Sequence, residues 1–118
     1  MKEDKITVLL KKVNESPKVL KIKNTLEEKQ KLVGGLIEVV PYIDKMLIIC
    51  NEEGKLLNLK ENVRFSNDYI AGDFFVIGDD YQNGDFKSLT NKEIKKAKDD
   101  IRKRSIHYIK NYNELDRE

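Results

Sequence analysis

Three carboxylates in the turn-rich stretch Asp79-Asp80-Tyr81-Gln82-Asn83-Gly84-Asp85 are the first residues that could do chemistry. Oxygen ligands on a flexible loop suit Mg2+ or Ca2+. Together with Glu38 they would serve a metal-dependent enzyme. The spacing departs from the EF-hand loop, which needs ligands at alternate positions and a glutamate at the twelfth. A solvated hairpin loop explains the same residues. His107 is the single histidine and Cys50 the single cysteine. His107 falls in a predicted helix with no partner motif beside it. Cys50 falls in a predicted central strand, where a free cysteine acts as a small apolar residue. Zinc-type ligand spacing, a P-loop and the dinucleotide-binding glycine pattern are all missing. We therefore assign no catalytic residue, no metal ligand and no cofactor, and expect a protein that is not an enzyme.

Two glycine-containing stretches offer a binding site instead. Gly34-Gly35 precedes an apolar run, and Ile70-Ala71-Gly72-Asp73 leads into another. Small residues let a ligand approach the backbone closely. The candidate ligand-binding set is Gly34, Gly35, Glu38, Ala71, Gly72 and Asp73, with a small signalling nucleotide as one class of ligand. Residues 92–104 hold seven Lys/Arg against three acids. Lys95, Lys96, Lys98, Arg102 and Lys103 could neutralise phosphates, giving salt-sensitive nucleic-acid binding. Asp99 and Asp100 interrupt that face and stacking aromatics are few. The reading is thus a solvated face that binds no nucleic acid at physiological salt.

These residues need elements to position them. Residues 5–13 and 18–23 are rich in β-branched residues, with Asn14-Glu15-Ser16-Pro17 as a turn, so a hairpin is expected. Thr25-Leu26-Glu27-Glu28 has capping-box spacing and starts a helix over 26–33, which Gly34 ends in the left-handed region. Leu36–Ile43 reads as a strand with Pro41 at its end or edge. Met46–Cys50 is a central strand. Asn51–Lys55 is a hairpin loop with Gly54 at positive φ, and Leu56–Leu59 is its return strand. Residues 60–69 form a loop crossing the sheet, and Phe74–Gly78 is the last strong strand. Thr90-Asn91-Lys92-Glu93 is a second capping box opening a helix over 91–112. Ile94, Ala97, Ile101, Ser105, Tyr108, Tyr112 and Leu115 form its apolar stripe. The connections are short, so antiparallel pairing is economical. The expected fold is α+β: an antiparallel sheet of five to six strands, one short helix and one long C-terminal helix packed on it.

At 118 residues the chain reads as one domain that can bury a core without disulfides or metals. Hydrophobic residues at 39% suffice for that core despite 37% charged residues. A single cysteine points to a reducing compartment. No signal-peptide pattern opens the sequence, and no run is long enough to span a bilayer. We expect a soluble protein of the bacterial cytoplasm with no membrane partner. The net charge of +2 hides an asymmetry. Residues 1–33 carry nine Lys and five acids, residues 34–90 five Lys/Arg and ten acids, and residues 91–118 nine Lys/Arg and six acids. Separation of this kind can steer partners.

An ordered set of segments resembles a small family catalogued only as domain of unknown function 3846. The segments are Lys18-Val-Leu-Lys-Ile, Val33-Gly-Gly-Leu-Ile-Glu-Val-Val, Cys50-Asn-Glu-Glu-Gly-Lys, Ile70-Ala-Gly-Asp-Phe-Phe-Val-Ile-Gly and Gly84-Asp-Phe-Lys-Ser-Leu-Thr90. The resemblance covers roughly residues 18–95. It divides the single domain 1–118 into an added strand and turn (1–17), a family-like β-rich core (18–90) and a basic C-terminal helix (91–118). Family members sit on phages, plasmids and other mobile elements, which implies an accessory factor. Such a factor would interfere with host defence or regulation by binding a host protein or sequestering a nucleotide. A homo-oligomer is left open.

Overall fold

The computed structural model describes residues 5–105. Eight strands and two helices follow in the order β1 (Lys5–Lys11), β2 (Lys18–Lys23), α1 (Leu26–Val33), β3 (Ile37–Pro41), β4 (Met46–Asn51), β5 (Glu61–Arg64), β6 (Tyr69–Ala71), β7 (Phe74–Asp80), β8 (Asp85–Lys87) and α2 (Asn91–Arg104). The main sheet has six strands in the order β2-β1-β7-β4-β3, with β8 also paired to β7. Every described pairing is antiparallel. β5 and β6 form a separate hairpin. The fold is α+β, as the local connectivity predicts.

The sheet is covered on both faces, and this is why β4 and β7 are nearly continuous apolar runs rather than alternating ones. On one face α1 closes a cluster of Ile6, Val8, Leu10, Ile22, Val33, Ile49, Phe75 and Ile77. On the other, α2 and the β5–β6 hairpin close a second cluster that includes Leu9, Met46, Ile48, Phe74, Val76, Ala97 and Ile101. The period of two places successive residues of β7 in alternate clusters.

Local signals set the helix ends. Thr25 Oγ1 accepts from the Glu28 N–H at 3.2 Å, and Gly34 ends α1 at φ 76°. Thr90 and Glu93 form a complete capping box at 3.1 and 2.8 Å. The helix from residue 91 ends at Arg104, short of Tyr112. Ser105 is extended and bridges Val63 of β5, so tertiary pairing wins over the helical stripe. Tyr108, Tyr112 and Leu115 lie outside the described residues.

The segment after β4 departs furthest from the sequence reading. Residues 52–58 are a chain of turns, not a hairpin with a return strand at Leu56–Leu59. The Leu57 N–H donates to Glu53 O at 2.9 Å and the Leu59 N–H to Gly54 O at 2.9 Å, which coils the loop back on itself. Leu56 and Leu57 are therefore left exposed. Gly54 does not have positive φ; Asn58, at φ 57°, takes the left-handed position. Gly54 is needed for space, because a Cβ there would lie 2.7 Å from Ala71 O. Residues 60–69 are not a loop but contain β5 and the start of β6. A buried polar network staples this hairpin to β1. Lys11 Nζ donates to Asn62 Oδ1 at 2.8 Å, and Asn62 Nδ2 donates to Lys11 O and Gly72 O, both at 2.9 Å.

Candidate functional site

A cleft of about 400 Å3 opens where the β3 edge, the coiled loop and the β5–β6 hairpin meet. Pairing of β3 with β4 puts Glu38 opposite Cys50 and Val40 opposite Ile48 on the α2 side of the sheet. These strands form the floor. Phe65, Tyr69 and Ile70 form one wall, and Lys55 and Leu56 of the coiled loop form the other. Leu56 is 82% exposed at the mouth of this cleft.

The rim is acidic. Glu38, Glu52 and Asp68 face a single cation, Lys55, among the described lining residues. Lys55 is already engaged: it pairs with Asp68 and sits 4.7 Å from the centre of the Tyr69 ring. The hydrogen bond to Asp68 raises the Lys55 pKa, and that from Lys55 lowers the Asp68 pKa. Arg64 approaches the Tyr69 ring at 5.9 Å while bound to Glu61. Cys50 is buried, with its thiol 3.9 Å from the Glu38 carbonyl oxygen. Burial, followed by the charges of Glu38 and Asp68, pushes its pKa up to about 11. It is held as a thiol and is not activated for nucleophilic attack. His107 lies outside the described residues.

β3 is an edge strand with a partly open backbone. The Glu52 N–H donates to Leu36 O at 2.8 Å, and the Tyr42 N–H to Met46 O at 3.1 Å. Antiparallel alternation then turns Glu38 and Val40 toward β4, and Ile37, Val39 and Pro41 outward. Pro41 has no donor to present, so it limits pairing at its end of the edge.

The six residues read as a ligand set do not form one site. Glu38 and Ala71 line the cleft, whereas Gly72 and Asp73 line a separate shallow depression of about 250 Å3 with Val13 and Val33. Gly34 and Gly35 line neither of these. Asp73 Oδ1 accepts from the Val13 N–H at 2.9 Å and ties down the turn after β1. Gly72 has φ 88°, and a Cβ on it would meet Leu59 Cδ1 at 2.7 Å. Gly35 lies against buried Asn51, whose Nδ2 donates to Val33 O at 3.1 Å. Each of these glycines thus serves packing or chain reversal. The acidic hairpin is also hydrogen-bonded: Asp80 accepts from the Asn83 side chain within it, and Asp85 from the Asn24 side chain before α1. Among the described residues, no three His, Cys, Asp or Glu gather as a metal-binding group.

The basic helix is divided by its docking. Lys96 pairs with Asp44 at 2.7 Å, and Asp100 accepts from the Tyr42 hydroxyl at 2.5 Å and from Arg104 at 2.9 Å. Arg104 also lies 4.6 Å from the centre of the Phe65 ring. Burial and Asp100 together raise the Tyr42 pKa, keeping the phenol protonated. Asp100 therefore fixes the helix to the sheet and does not interrupt its outer face. Lys95, Arg102 and Lys103 are exposed, and Lys98 is half-buried.

A family model described as a domain of unknown function (DUF3846) matches residues 6–102. The chain belongs to this family. No curated protein and no solved structure matches it. The DUF3846 match extends beyond residues 18–95 at both ends, taking in most of β1 and of α2. The cleft residues, from Glu38 to Ala71, all lie inside it. No helix among the described residues is long and apolar enough to cross a membrane.

Proposed function

We propose that this DUF3846 protein is a non-enzymatic binding module that takes a short extended segment of a partner protein into the cleft. The observation that carries the reading is the juxtaposition of the outward backbone groups of Ile37 and Val39 with an aromatic-walled, acidic-rimmed cleft. An added strand would take main-chain hydrogen bonds from the edge and place alternate side chains toward the cleft. The cleft's volume is in the range that accepts a few side chains or a small ligand. Its rim favours a segment combining an apolar anchor with Lys or Arg. The three rim carboxylates oppose phosphate, which makes a nucleotide the weaker ligand class.

In biological terms we read an accessory factor of a bacterial phage or plasmid, working in the host cytoplasm. It would bind a host protein of defence or regulation. The expected test result is that displayed random peptides enrich for an aliphatic or aromatic residue beside Lys or Arg. A selected peptide at ~100 times its Kd should stabilise the protein by about 2.7 kcal/mol in a thermal-shift assay. Cyclic dinucleotides and ADP-ribose derivatives should give no shift. Val39→Pro removes an outward donor and spares the β3–β4 ladder, so it should fold and lose the peptide. A nucleotide that stabilises the protein, or peptides that bind Val39→Pro unchanged, would refute the reading.

A further inference from the structure

The sheet extends the basic face of α2 into a larger basic surface. β1 and β2 pair with Lys5 opposite Lys23, Thr7 opposite Lys21 and Leu9 opposite Val19. Opposed residues share a face, and Leu9 belongs to the cluster under α2. Lys5, Lys21 and Lys23 are therefore on the α2 side, at and beside the exposed β2 edge. α2 begins next to this region, since the Leu89 N–H donates to Thr7 O at 3.0 Å and Thr7 N–H to Ser88 Oγ at 2.9 Å. Its orientation is fixed by two observations. Ala97 and Ile101 point into the core, and Lys96, Asp100 and Arg104 reach Asp44, Tyr42 and Phe65 on the opposite side. At 3.6 residues per turn, Lys95, Lys98 and Arg102 fall on the remaining flank, toward β1 and β2.

We infer that these six cations form a docking surface for the sugar–phosphate backbone of duplex DNA. Charge complementarity selects a polyanion: Asp100 is turned away to Tyr42, and exposed Asp99, one turn from Lys95 and Arg102, is a single acid beside six cations. A duplex fits better than a single strand, because base stacking needs exposed aromatics and none of the six positions is aromatic. Duplex DNA carries one phosphate charge per about 1.7 Å of helix axis, a density that several clustered cations can neutralise together. Binding should be independent of sequence, since phosphate contacts carry no sequence information. This surface is separate from the peptide cleft, so either can fail alone.

The test is fluorescence anisotropy with the full chain and a labelled 20-base-pair DNA duplex over a salt series. Four phosphate contacts predict a slope near −3.6 in log K against log salt, or about a 150-fold loss of affinity between 50 and 200 mM. K21E/K23E and K95E/R102E should each weaken binding at least tenfold. K18E/K31E makes the same charge change on the α1 side and should change it less than threefold. Circular dichroism checks that each variant folds. No binding at 50 mM salt, equal loss in K18E/K31E, tighter binding to single strands or duplex RNA, or a preference for anionic vesicles over DNA would each overturn the proposal.

Discussion

The two faces of the central sheet are closed in different ways. The α1 face is a nearly pure apolar cluster under an eight-residue helix. Its buried cation, Lys29, sits at the rim, 4.8 Å from the Phe86 ring centre and bonded to Asn24. The α2 face is shared between a helix and a two-stranded hairpin, and it buries Lys11 and Asn62 where the hairpin meets β1. Desolvation lowers the pKa of both lysines. The face closed by one element keeps only a shallow depression, beside Val33 at the end of α1. A face closed by two leaves a seam at each boundary, and the cleft and the basic flank are those seams.

Both faces rest on the same central strands, so a core lesion on one side should be felt on the other. Phe75 is fully buried on the α1 side of β7. Phe75→Ala should cost ~3–5 kcal/mol, read as a fall in the urea midpoint seen equally by probes on both faces. Separate transitions would mean that the faces fold independently.

Asn62→Ala tests the staple. It takes Asn62 away from the carbonyls of Lys11 and Gly72 and leaves Lys11 Nζ with the Lys12 carbonyl at 2.7 Å as its remaining acceptor among the described residues. The expected loss is ~1–3 kcal/mol. Hydrogen exchange should accelerate in β5 and β6 well before β1 and β7, because the hairpin is held by this network. Uniform acceleration would remove the distinction between the two faces.

Gly34→Val probes the other face at its helix end. A Cβ at Gly34 meets nothing within 4 Å, so the cost is conformational alone. It should be ~1–2 kcal/mol, and Gly34→Asn should recover much of it.

Cys50 in the cleft floor makes stability depend on alkaline pH. The Cys50 pKa lies at about 11 in the folded protein, above the ordinary value of 9.0. Between those values the unfolded chain has lost the proton and the folded chain still holds it. Stability contributed by the neutral thiol is thus present below pH 9 and falls as pH rises toward 11. Lys11 acts in the opposite sense, gaining stability as pH approaches 10.5 from below. Cys50→Ala should therefore decline less than the wild type in alkaline urea titrations. Equal declines would place the thiol in solvent. The smallest effect belongs to Leu56→Asp, which should alter stability by less than ~0.5 kcal/mol because the side chain is exposed. A large loss would make Leu56 part of the core and not a rim residue.

The amino-acid sequence by itself determined the elements whose signals are local. Thr25 and Thr90 start the helices, Gly34 ends one, and the apolar runs of β4 and β7 form strands. In each case the deciding interactions lie within a few residues. Tertiary structure decided the rest. Leu56–Leu59 looks like a strand, but backbone bonds to Glu53 and Gly54 coil it, and β3 and β7 take both edges of β4 while a hairpin of one four-residue and one three-residue strand packs over its face. Asp100 reads as an interruption of a basic face until Tyr42, 58 positions away, draws it under the helix. The candidate ligand residues were chosen by proximity in type, and the sheet sent them to different places. Sites are made by register and by which flank of a helix meets which strand. Those are long-range packing choices, and no short stretch of sequence encodes them.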